Sequence, residues 1–188
     1  MAIKLGAPSE GGKDFSAELP TADVHVGVLI GVWDIKFHPV TWDGLTTMKR
    51  KVMMLWEVDE LMPDDCDEKY KGKHKCIMRR YNASLHEKAP LRAAVKAIRG
   101  KDFVDNDEIM EFDLESLIGK ANQLEVVHVE SNGKKYSNVE QVSKLMKGVT
   151  VFKPDNLYTQ GATPEWVQKI IDKGQDDPVM HEDDDLPM

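Results

Sequence analysis

Cysteine is almost missing from this chain: Cys66 and Cys76 are the only two in 188 residues, and neither belongs to a CxxC pair. Two thiols so spaced make no disulfide framework, which points to a reducing, cytoplasmic setting. No apolar run approaches the roughly 20 residues of a membrane-spanning helix. The opening Met1–Gly6 lacks a sustained apolar stretch of signal-peptide length. There is no phosphate-cradling glycine loop and no nucleophile elbow. The histidines at 25, 38, 74, 86, 128 and 181 are scattered. His74 and Cys76 lie close together, with Cys66 upstream, but a fourth ligand at ordinary zinc spacing is missing. Asp64, Asp65, Asp67 and Glu68 read as a solvated acidic loop rather than the metal cage of a nuclease. No catalytic residue, metal or cofactor is therefore expected.

Basic residues are also absent from one region. Asp176–Met188 holds six acids and no Lys or Arg. Formal net charge is −8, yet without that stretch 25 basic residues face 27 acidic ones. An acidic total argues against nucleic acid as a partner, but a nearly neutral body with a separable acidic tail does not. The tail has too little apolar surface to fold alone. Its end, Asp183-Asp184-Asp185-Leu186-Pro187-Met188, offers carboxylates to a basic groove and an apolar tip to a pocket.

What is present reads mainly as strands. Val24, Val26, Val28, Ile30 and Val32 alternate with other residues, the period of a half-buried strand. A loop is expected from Phe37 to Leu45, then a second strand over 48–59 with Val52, Met54, Trp56 and Val58 on one face. That phase makes Trp56 a core residue. A polar connection over 61–72 precedes a third strand over 75–84, with Ile77, Arg79 and Tyr81 on one side. Pro90 suits a first helical turn. The stripe Leu91, Ala94, Val95 and Ile98 continues that helix to Gly100. Short helical turns are expected around 107–110 and 114–118. Asn132-Gly133 marks a two-residue hairpin between strands over 124–131 and 135–145. A last short helix opens at Thr163-Pro164-Glu165 and carries Trp166, Ile170 and Ile171.

Three strands, a helix and two strands is the order of an oligonucleotide-binding (OB) barrel. The expected fold is therefore mainly β: a five-stranded OB-fold barrel with a helix between strands 3 and 4, a short C-terminal helix and a disordered acidic tail. Residues 1–18 read as a flexible arm and 19–150 as the barrel. Residues 151–175 read as an extension with the short helix, and 176–188 as the tail.

The phrases Lys51-Val52, Leu55–Glu60, Arg80-Tyr81 and Ser84–Lys88 carry a further likeness. So do Phe112–Lys120, Val126–His128, Tyr136–Val139 and Trp166. Together they resemble a phage-encoded family of OB-fold single-stranded DNA-binding proteins of replication or recombination modules. The tail is similar to the acidic C-terminus of bacterial and phage single-stranded DNA-binding proteins, with Met188 where a Phe is usual. The resemblance implies single-stranded DNA as ligand, no membrane, and replication or recombination proteins as partners of the tail. The setting it implies is a bacterial host's cytoplasm. A homo-oligomer is open.

Single-strand binding needs a cationic path for phosphates and aromatic faces for bases. On the elements that form the OB binding face stand Lys49, Arg50, Lys51, Lys73, Lys75, Arg79 and Arg80, with Lys134 and Lys135 on the last hairpin. Trp33, Phe37, Trp42, Tyr81 and Tyr136 are the stacking candidates. Among them Trp42 is the aromatic expected to be most exposed, and Trp33 is out of phase with the valine face. Partner contacts are expected at Asp183–Met188. The rival reading is a non-catalytic OB-fold interaction module that grips a host protein, its tail mimicking DNA.

Overall fold

Strand pairing runs far beyond the valines that signal it. The computed structural model describes residues 18–177, so the expected arm (all but its last residue) and the tail end Asp183–Met188 lie outside the described residues. The first strand, β1, spans Val24–Trp42, and β2 spans Leu45–Leu61. The loop expected over 37–45 is therefore strand, closed by a two-residue turn at Asp43-Gly44. Both turn residues have positive φ, 48° and 76°, which suits the right-handed twist of the flanking strands. A 3-10 turn at Glu68–Tyr70 leads to β3 at His74–Asn82. Helix α1 covers Pro90–Arg99, α2 covers Asn106–Glu111, and a second 3-10 turn covers Leu114–Leu117. Strands β4 (Ala121–Ser131) and β5 (Lys134–Ser143) form the expected Asn132-Gly133 hairpin, and α3 spans Glu165–Asp172.

The five strands form one antiparallel sheet in the order β3-β2-β1-β4-β5. Its two edges, β3 and β5, approach each other without a backbone ladder. The Arg79 guanidinium spans the gap instead, donating to the carbonyls of Val139 at 2.9 Å and Glu140 at 2.8 Å. Helix α1 packs on β3, β4 and β5 through the predicted stripe Leu91, Ala94, Val95 and Ile98. Pro90 is its first residue, and Gly100 ends it with φ 79°.

The valine alternation does not survive intact. The β1–β2 register shifts between Leu29 and Gly31, a bulge that carries Val32 to the opposite face from Ile30. Leu29 and Val32 join Trp56, Ile77, Tyr81 and Leu124 in the main core under α1. Ile30, Trp33 and Ile35 face the other way. There, with Met53, Leu55 and Val167, they form a second cluster. Residues 152–175 cover that outer face, so the C-terminal extension is packed on the sheet and its α3 supplies the fully buried Val167. Trp166, which α3 carries as expected, is half-exposed. Among the described residues, no helix is long and apolar enough to cross a membrane.

Candidate nucleic-acid interface

Among the described residues, no strand flanks β2 beyond the Lys51–Asn82 pair, and β4 leaves β1 at Val28. From about residue 37 onward β1 and β2 therefore continue as a two-stranded ribbon, touched at its root by an isolated bridge from Phe37 to Gln175. Trp42 stands at the ribbon tip with 83% of its surface exposed, beside Leu45 at 74%. Both flank the turn, where no neighbouring strand can cover them. Leu45 had no sequence signal of its own, although Asp43-Gly44 is a recognisable hairpin turn.

Just below the ribbon the cations converge. Lys49 and Lys51 alternate onto one face of β2, and Arg80 and Asn82 share the facing side of β3. The Lys51 ammonium donates to Asn82 Oδ1 at 2.7 Å. Burial lowers the Lys51 pKa, and the nearby charges of Arg80 and Lys49 lower it further. That mutual repulsion marks a patch of like charge suited to an anion. Asn82 was not a sequence candidate.

Other candidates are committed to the fold. Trp33 is 6% exposed, lies 5.7 Å from the Tyr158 ring and donates Nε1–H to the Ala162 carbonyl at 3.0 Å. The bulge that reversed Val32 also turned Trp33 under the C-terminal extension, so it has no face for a base. Tyr81 is 3% exposed with the Arg79 guanidinium 4.8 Å from its ring centre, and burial pushes its hydroxyl up to about 12. Arg79 itself holds β5. Lys75 is buried, donating to Glu60 and to the Leu19 carbonyl at 2.9 Å. Trp33, Lys75, Arg79 and Tyr81 therefore leave the candidate interface. Arg50 remains at the surface but pairs with Asp34, Nε to Oδ2 at 2.9 Å. Phe37 is partly covered at the ribbon root.

Lys134, Lys135 and the half-exposed Tyr136 lie on the β4–β5 hairpin, and Lys73 is exposed just before β3. By register these sit toward the start of β1, whereas Trp42 ends it. The predicted residues thus flank the sheet from two ends rather than lining one strip. Between the two ends lies the outer face that residues 152–175 cover.

That covering segment is fastened by a carboxylate that sequence reading passed over. Glu57 on β2 is fully buried on the outer face. Its oxygens accept the Asp155 N–H at 2.6 Å, the Asn156 N–H at 3.0 Å and the Asn156 Nδ2 at 2.9 Å. His74 Nδ1 lies 3.0 Å from Asp155 Oδ2 and 4.0 Å from Glu57 Oε2, and its ring stacks on Phe152 at 4.2 Å. Tyr158 N–H donates to the Ile30 carbonyl at 2.7 Å. Nothing in the spacing links Glu57 to residues nearly a hundred positions later.

No protein-family model matches this chain, and no curated protein matches its sequence. The fold and the patch define a mainly β protein with a protruding two-stranded ribbon, a basic cluster at its root and an apolar tip.

Proposed function

We propose that this protein binds single-stranded nucleic acid, DNA foremost, as an OB-fold protein of a phage replication or recombination module. The observation that carries the reading is the convergence of Lys49, Lys51 and Arg80 below a ribbon that exposes Trp42. Cations track phosphates and an exposed indole stacks on a base without regard to its identity. The strand order, the helix between β3 and β4, and the Arg79 clamp across the sheet edges support an OB barrel closed by side chains. Titrating labelled oligo-dT at low and high salt tests the proposal. Micromolar or tighter binding that weakens with salt is expected; no binding at low salt overturns it.

In this reading the acidic tail recruits replication or recombination proteins and competes with DNA for the same cations. A second reading keeps the fold but makes it a module that grips a host protein. An open cleft of about 360 Å³ favours it, with Val52, Leu85, Leu91 and Phe112 among its lining and Arg50 at its rim. Capture of a host protein without oligonucleotide binding would decide for this alternative.

A further inference from the structure

We propose that Glu57, His74 and Asp155 hold one divalent transition-metal ion, with Zn2+ the best chemical match, and that the ion clasps the C-terminal extension to the sheet. The inference stands apart from the nucleic-acid reading and does not depend on it.

Three ligand atoms from three segments, β2, the start of β3 and the extension, lie within 4.8 Å of one another. Zinc held at about 2.1 Å from each ligand in a tetrahedron separates neighbouring donors by about 3.4 Å. The two distances from His74 Nδ1, 3.0 Å to Asp155 and 4.0 Å to Glu57, bracket that value. An imidazole with two carboxylates suits zinc and its transition-metal neighbours better than magnesium or calcium. The backbone and amide N–H groups that meet Glu57 and Asp155 each leave lone pairs for an ion.

The charge balance gives the cluster its reason. Glu57 is fully buried, and its hydrogen-bond partners are neutral amides. A buried carboxylate without a cation is costly, and a second carboxylate beside it adds repulsion. A metal ion would offset both carboxylates and close the covering segment over Ile30, Met53 and Leu55. The amide N–H groups of Asp155 and Asn156 that reach Glu57 hold its carboxylate in orientation.

The test uses the full chain, stripped with a chelator and titrated with Zn2+ by calorimetry and with Co2+ by visible absorption. One saturable site per chain is expected, with the intense bands of four-coordinate cobalt and a higher melting temperature on zinc loading. H74Q and D155N should each weaken binding at least tenfold, while H86Q, at an exposed histidine elsewhere, leaves it unchanged. X-ray absorption of the zinc-loaded wild type reads the shell directly and does not depend on any variant folding. It should show an imidazole with oxygen donors. The proposal is overturned by absence of a saturable site, by a shell without imidazole, or by binding that survives both substitutions and so belongs to an adventitious ion only.

Discussion

Trp33 and Trp42 stand on the same strand and meet opposite fates. Both were legible as aromatic candidates, but alternation cannot reveal which face will be covered by a distant segment. Trp33 faces α3 and the loop at Ala162; Trp42 faces solvent beyond the end of the sheet. Trp42→Ala should therefore weaken oligo-dT binding by about 1–3 kcal/mol and leave the melting temperature within a degree or two. Trp33→Ala should do the reverse, destabilising the fold by about 3–5 kcal/mol. Fluorescence titration and denaturant melts on the two variants separate the outcomes. Equal loss of binding in both would remove Trp42 as a platform. Lys75 offers a companion case, a basic residue that reads like a phosphate ligand but is buried against Glu60. Burial works against the Glu60 carboxylate, yet Lys75 and the Thr21 N–H outweigh it and hold its pKa below the usual glutamate value. A lowered folded-state pKa stabilises fully above the unfolded value of about 4.3 and is lost as pH falls through the folded one. Lys75→Met should cost about 1.5–3 kcal/mol near neutral pH. Its melting temperature should also fall less steeply than wild type's on acidification below pH ~5, which melts across that range would register.

Strand order, the α1 stripe and the Asn132-Gly133 hairpin were all readable, because local periodicity and turn chemistry fix them. The ribbon was missed because Pro39 and Gly44 suggested a loop. In the structure Pro39 pairs with Met48 where no third strand needs its missing N–H. The cover over the outer face was missed for a different reason: its contacts, Glu57 to Asp155 and Trp33 to Ala162, join parts of the sequence with no local signal. That cover is packed tightly enough to be sensitive to one methyl group. A Cβ at Gly174 would sit 2.5 Å from the Ile35 carbonyl oxygen, a backbone atom that cannot step aside cheaply. Gly174→Ala should loosen α3 from β1, raising amide exchange at Phe37 and Tyr158 while exchange in the α1 core stays slow. Unchanged exchange at those two amides would show that the extension is anchored elsewhere. Replacing 40–47 by a short turn makes the complementary test. The fold should persist, since residues 41–47 are exposed and Val40 is only partly covered, and DNA affinity should drop.

Charge is where the separate parts act together. The described chain ends beside the ribbon root: Asp176 pairs with Lys36 at 2.7 Å, and Asp177 adds to the field that favours the Arg50 cation. In the proposed reading, the acidic residues that follow in the sequence act as a covalently attached competitor for Lys49, Lys51 and Arg80, which raises their effective concentration there. DNA and tail are both polyanions and would compete for the same cations. Deleting Asp176–Met188 removes six acids and brings the chain close to neutrality. The truncated protein should therefore bind oligo-dT more tightly than the full chain at low salt. The two should converge as salt rises, because screening acts on the tail's attraction and on the phosphates alike. In the truncated protein, neutralising Arg80 should lower the slope of log affinity against log salt by about 0.7, the value for one phosphate on a single strand. In the full chain the same change should matter less, since it weakens the competitor along with the ligand. Affinities for both proteins across a salt series distinguish the cases. Weaker binding after truncation would mean that the tail supports the DNA-binding surface rather than competing for it.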